Sequence, residues 1–154
     1  MLRSGIKRKN KSGGKSEFQK LVTRADNVFS KYIRLRDAIE TPYGLYFKCI
    51  SCGRIKRIDQ ADCGHYINRQ HMVTRYSEMN CNAQCRECNR FDEGNMSGYR
   101  RGLVEKYGEG KVEVLESLKN QSKKYVIFEL KALMEHFKKE IQRLEKEKGK
   151  LNAP

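Results

Sequence analysis

The chain has 154 residues, a net charge of +14 and no tryptophan. That length suits one compact domain with extensions. The surplus of lysine and arginine makes a polyanion the expected partner, nucleic acid ahead of an anionic membrane surface. No stretch approaches the roughly 20 apolar residues that span a bilayer, and no apolar run follows the basic start, so neither a membrane span nor a secretory signal is expected.

The charge is uneven along the chain. Residues 1–36 carry 11 basic and 2 acidic side chains, residues 37–98 carry 8 of each, and residues 99–154 carry 14 and 9. A neutral centre between basic flanks suits a core gripped onto nucleic acid by its extensions.

Residues 1–15 are Lys, Arg, Gly and Ser with almost nothing to bury, and read as a disordered basic arm. Residues 16–40 read as an N-terminal helix. Ser16 and Gln19 form a capping-box pair, and Phe18, Leu21, Val22, Ala25, Phe29, Tyr32 and Ile33 share one face. The helix is expected over about 17–39, ending before Pro42.

Residues 41–108 read as a compact core. Tyr43–Ile50 and Arg54–Ile58 suggest a hairpin around a cysteine knuckle, and Ala61–Ile67 a further short strand. Ser97–Tyr107 reads as a helix, with Asn95 placed to cap its start and Gly108 its end. Residues 109–154 form a helical extension, with a short helix near 112–120 and a long one over about 123–148. The long helix carries a stripe of Val126, Leu130, Leu133, Phe137, Ile141 and Leu144. Such a stripe either packs back on its own domain or forms the seam of a homodimer, for which under three heptads is short.

All six cysteines lie in the core. In the reducing cytoplasm, where this chain is expected, they argue for metal rather than disulfides. Cys49 and Cys52 form one CxxC, and Cys85 and Cys88 a second, with 32 residues between the pairs. Two residues between thiols let both sulfurs face one point. Two such knuckles supply the four ligands of a tetrahedral Zn²⁺, with Gly53 relieving the first turn. A closed four-thiolate site has no open position, so its zinc would hold the fold and take no part in chemistry. Cys63 and Cys81 sit outside the CxxC pairs and read as small buried hydrophobes.

Between and after the knuckles lie two of the three histidines, His65 and His71, and a series of Asn and Asp side chains. Histidine is the natural general base near neutral pH, and Asp and Asn oxygens hold hard cations such as Mg²⁺ or Mn²⁺. Arg69, Arg75 and Arg90 flank the segment and suit phosphate contacts, as does His71.

The order CxxC, His, Asn, CxxC-Asn resembles the HNH (His-Me finger) endonucleases. More closely, Cys49-Ile-Ser-Cys-Gly, Gly64-His-Tyr, Asn80 with Gln84-Cys-x-x-Cys-Asn, Gly94-Asn and the following Tyr99-Arg with Gly102-Leu resemble the phage lambda NinG (Rap) recombination endonuclease family. The resemblance covers about residues 20–108. It implies an α+β fold: a small zinc-stapled ββα-metal core flanked by N-terminal and C-terminal helices. His65 then matches the base that activates water, Asn80 the residue that pins the loop between two strands, and Asn89 a ligand of the catalytic metal. It also implies a phage protein in the host cytoplasm acting on branched DNA such as Holliday junctions or D-loops.

One position departs from the pattern. Many HNH enzymes carry a metal-binding Asp just before the histidine, and here that residue is Gly64. Strand alternation puts Asp62 on the same side as Gly64, so Asp62 is expected to reach over the bare glycine and hold the metal. Asp92, Glu93 and His71 are the other candidates. A non-catalytic zinc-finger DNA-binding protein and a site-specific homing or restriction-type nuclease are the rival functions.

Overall fold

A computed structural model describes residues 14–151. All but the last two residues of the expected basic arm therefore fall outside the described residues.

Helix α1 spans Glu17–Arg36. The Ser16 hydroxyl accepts from the Gln19 amide, and the Gln19 side chain accepts from the Ser16 amide, so the capping box forms as expected. The helix ends three residues earlier than its periodicity suggests. Asp37 is drawn out of the helix because its carboxylate accepts from the Ala83 amide and from Arg36. The freed residues make a strand, β1 (Ile39–Thr41), which turns through Pro42 and Tyr43 into β2 (Gly44–Lys48). β2 pairs with β3 (Ile55–Arg57), the expected hairpin around the first cysteine knuckle.

A second antiparallel hairpin joins β4 (Ala61–His65) to β5 (Cys81–Cys85), with Ala61 opposite Cys85 and His65 opposite Cys81. β5 was not apparent in the sequence. All five of its residues are buried, so it shows no alternation of polar and apolar. After it the chain makes a single π turn, Glu87–Phe91, and then α2 (Met96–Tyr107). Asn95 caps α2 by accepting from the Gly98 amide, and the Gly108 amide closes it on Val104.

Helix α3 (Glu109–Ser117) follows, and the last helix, α4, runs Ile127–Lys148. α4 starts four residues later than expected, where the Glu129 carboxylate accepts from the Val126 amide. Its stripe lies against α1: Leu130, Met134, Phe137, Ile141 and Leu144 are buried with Leu21, Ala25, Phe29 and Tyr32. The Phe137 ring sits 4.9 Å from Phe29 and 4.6 Å from Tyr32, centroid to centroid. At the far end the Lys148 ammonium donates to the carbonyls of Leu35, Arg36 and Ala38, closing the C-terminal end of α1.

The core is thus divided. The α1–α4 pair forms one apolar cluster, the cysteine-rich strands a second, and α2 with α3 a third around Tyr99 and Leu103. The whole is a mixed helix and small-sheet α+β fold. Among the described residues no helix is long and apolar enough to cross a membrane.

Candidate functional site: a thiol cluster beside a polar cleft

The two knuckles meet. The sulfurs of Cys49, Cys52, Cys85 and Cys88 all lie within 4.8 Å of one another. Backbone and side-chain amides point at them: the Cys85 amide donates to Cys49 Sγ at 3.3 Å, and Asn95 Nδ2 to Cys88 Sγ at 3.5 Å. Gly53 takes φ +71°, the left-handed conformation that the tight turn after Cys52 needs. Four converging thiols with N–H donors behind them fit a tetrahedral Zn²⁺, and no oxygen ligand competes within the cluster. α2 rests directly on this knuckle. A Cβ on Gly98 would overlap the Ser51 carbonyl oxygen, and one on Gly102 would stand 3.0 Å from the Ile50 carbonyl carbon.

His65 lies at the end of β4 on the wall of an open polar cleft of about 450 Å³. Asp62, Asn89 and Arg90 line the same cleft, together with Arg69. Ser30, Cys63 and Asn68 complete it, and none of the three stands out as a site residue in the sequence. Ser30 comes from α1, a helix 35 residues upstream of His65, and nothing local to the motif points to it.

The His65 ring is held from behind. Its Nε2 lies 3.2 Å from the Arg75 carbonyl oxygen. A carbonyl only accepts, so in the neutral ring Nε2 carries the hydrogen and Nδ1 keeps its lone pair. Burial pushes the pKa of His65 below its ordinary value, against the opposing pull of the Arg75 carbonyl. Burial thus favours the neutral ring.

That carbonyl is positioned by a loop, residues 66–80, which Asn80 ties together from its centre. The buried Asn80 amide donates to the carbonyls of Ile67 and Thr74, and its oxygen accepts from the Ile67 amide at 2.7 Å. Arg75 fixes the loop to α1 through a two-pronged ion pair with Asp26, at 2.8 and 2.6 Å. Its guanidinium also donates to the Arg69 carbonyl and is mostly buried. Arg75 is therefore engaged within the fold. Asp26, its partner 49 residues away, is a positioning residue that the sequence did not reveal. His71 lies in the same loop but is not among the residues lining the cleft.

Asp62 does not reach over Gly64. Gln84 occupies that space, its amide donating to Ser51 Oγ at 2.7 Å and to the Gly94 carbonyl. Asp62 turns instead to Asn89, whose Nδ2 donates to Oδ2 at 2.9 Å, and to Arg90, which clasps both carboxylate oxygens at 2.7 Å. Burial alone would raise the Asp62 pKa, but the hydrogen bonds from Arg90 and Asn89 hold it below the usual carboxylate range. Asn89 sits in the π turn, ahead of α2, and this unusual turn aims its amide across at β4. Asp92 and Glu93 are exposed beyond that turn and do not line the cleft.

Residues 3–147 match the model of the bacteriophage lambda NinG protein family. The chain belongs to the NinG family. It is 31% identical over 124 residues to protein ninG of Escherichia phage lambda, an alignment covering 80% of this chain and 56% of that one. Protein ninG of Salmonella phage P22 is 30% identical over 124 residues, covering 80% and 57%. That of Enterobacteria phage H19B is 32% identical over 113 residues, covering 73% and 52%. The chain thus spans little more than half the length of the NinG relatives it matches. No solved structure matches it.

Proposed function

We propose that this NinG-family chain is a metal-dependent DNA endonuclease of the HNH type, acting on branched recombination intermediates in phage recombination. The observation that carries the reading is the cleft. A neutral histidine, fixed through Nε2 by the Arg75 carbonyl, shares one polar depression with a carboxylate and a carboxamide. Few structural roles call for a half-buried imidazole with a free lone pair beside two hard oxygen donors.

In this reading His65 takes a proton from water through Nδ1. Asn80 acts at a distance, by shaping the loop whose carbonyl orients the ring. Asp62 and Asn89 supply oxygen ligands that suit Mg²⁺ or Mn²⁺. Bound there, the cation would neutralise charge on the scissile phosphate and on the leaving 3′ oxygen. Arg90 would exchange its contact with Asp62 for the phosphate, and exposed Arg69 would grip the neighbouring backbone. The products are 5′-phosphate and 3′-hydroxyl ends. The four-cysteine cluster holds structural Zn²⁺ and the α2 helix beside the cleft.

The test is cleavage of matched linear and four-way-junction DNA, with Mg²⁺ or EDTA, by wild type and His65→Ala. Removal of a general base costs about 10²–10⁴-fold in rate. The variant should lose cleavage in that range while keeping zinc and DNA affinity. Equal cutting by His65→Ala overturns the assignment of the base. Absence of cleavage by wild type with any divalent metal leaves the zinc-bearing DNA-binding protein as the better description.

A further inference from the structure

The cleft contains a second metal-ligating group, apart from the four knuckle cysteines. Cys63 Sγ, Cys81 Sγ and a ring nitrogen of His65 all lie within 4.8 Å of one another. Hairpin geometry accounts for their convergence. Residues 63 and 65 are two apart on β4 and so face the same way, and the register sets Cys81 directly opposite His65. The thiols are free. Cys81 is fully buried, whereas Cys63 is half-buried and lines the cleft, so the group opens on that side. Behind it the Arg75 carbonyl accepts from both His65 Nε2 and the Cys81 thiol, at 3.2 and 3.6 Å. With Nε2 engaged by that carbonyl, Nδ1 is the nitrogen left to ligate, and a histidine tethered in this way matches the usual outer-shell arrangement of a metal site.

We infer that Cys63, His65 and Cys81 form a second Zn²⁺ site, with three protein ligands and a fourth position open to the cleft, and that zinc bound there inhibits the enzyme by occupying the nitrogen that activates water. Two thiolates and an imidazole select a soft or borderline ion and discriminate against the Mg²⁺ or Mn²⁺ that suits Asp62 and Asn89. Three protein ligands plus a solvent molecule complete a tetrahedron. Binding releases the two thiol protons to solvent and uses the His65 lone pair, so the ring cannot also accept a proton from water. Occupation of this site and hydrolysis are therefore mutually exclusive. The zinc site stands on geometry alone; its inhibitory effect rests on the nuclease reading of the cleft.

The experiment counts metal first and measures rate second. Full-length protein is titrated with Zn²⁺, and separately with Co²⁺ to read thiolate charge-transfer bands, for wild type, Cys63→Ala and Cys81→Ala. Wild type is expected to hold two equivalents and each variant one. Cys63 is half-buried, so its truncation is the variant most tolerated by the fold. Retention of the first equivalent and of helical circular dichroism reports that each variant is folded. Losing a direct ligand should weaken the second equivalent by more than the roughly 10–100-fold that outer-shell changes cost. Cleavage in Mg²⁺ is then followed as Zn²⁺ is added, each protein compared with its own zinc-free rate. Zinc should stop wild type and leave Cys63→Ala at its own rate. A wild type that binds a single equivalent overturns the site, as does a Cys63→Ala protein that keeps two. Two equivalents in wild type and one in the variants, with no cleavage by any of them, uphold the site and overturn the nuclease reading instead. Two equivalents with cleavage unaffected by zinc overturn the inhibition.

Discussion

At Gly64 the sequence departs from the aspartate that many HNH enzymes carry, and the fold supplies a reason. A Cβ there would stand 2.9 Å from the Gln84 Cβ and closer still to its amide oxygen. Gln84 is buried and bonded to two separate segments, so it has little freedom to give way. Gly64→Ala should therefore cost about 1–3 kcal/mol by overpacking, seen as a lowered melting temperature. An unchanged melting temperature would show that Gln84 moves freely. The motif made His65, Asn80 and Asn89 visible by their order alone. The partners that orient His65, the Arg75 carbonyl and behind it Asp26, come from the backbone and from distant chain, neither of which leaves a trace in a motif. The buried histidine also fixes a pH dependence. Its pKa is lower in the fold than in the unfolded chain, so below the ordinary histidine value the unfolded state binds more protons. His65 therefore removes stability as pH falls from the unfolded value to the folded one, and contributes no pH dependence above that window. Denaturant titrations from neutral pH downward should fall more steeply for wild type than for His65→Ala. Parallel curves would show that His65 is not the group responsible.

Among the elements, α1 and α4 were readable because each has one apolar stripe at helical spacing, and each stripe is covered by the other. Phe137 sits between Phe29 and Tyr32, so Phe137→Ala should cost about 3–5 kcal/mol in urea unfolding. The zinc equivalent of the four knuckle cysteines should be unaffected, because those thiols belong to another cluster. Loss of that equivalent in this variant would show that the clusters fold as one unit. The strands were harder to read. β5 is covered on both faces and carries Asn82 and Gln84 as buried hydrogen-bonding groups, so its sequence resembles a turn. β1 was hidden because Pro42 accounts equally well for the end of a helix and for the turn of a hairpin. The dimer seam was an alternative to packing within the chain, and Leu130, Phe137, Ile141 and Leu144 are buried against α1.

For the molecule as a whole, three small clusters take the place of one large core, and the cysteine-rich one contains few side chains besides its thiols. Structural zinc of this kind contributes roughly 10–16 kcal/mol. A strong chelator should accordingly abolish the tertiary circular dichroism of the tyrosines around α2, whereas retention of that signal would mean the thiols hold no metal. The net charge of +14 acts at the same scale. Affinity for duplex DNA should fall with salt, and removing one side chain that neutralises a phosphate should flatten the slope by about 0.9. Arg69→Ala is expected to do so and Arg75→Ala is not, since Arg75 is engaged by Asp26; equal slopes for the two variants would contradict that distinction.

The bare glycine face of α2 has a consequence beyond the knuckle. Gly98 and Gly102 press on the backbone of Ser51 and Ile50, so the helix can settle only once the chain between Cys49 and Cys52 has taken its final path. Tyr99, on the same helix, holds the Gly64 carbonyl next to His65 at 2.8 Å. The path of the knuckle, the docking of the helix and the alignment of the histidine are thus physically linked. Emptying the knuckle of metal should therefore be felt at the histidine as well as at the thiols, through the helix that touches both.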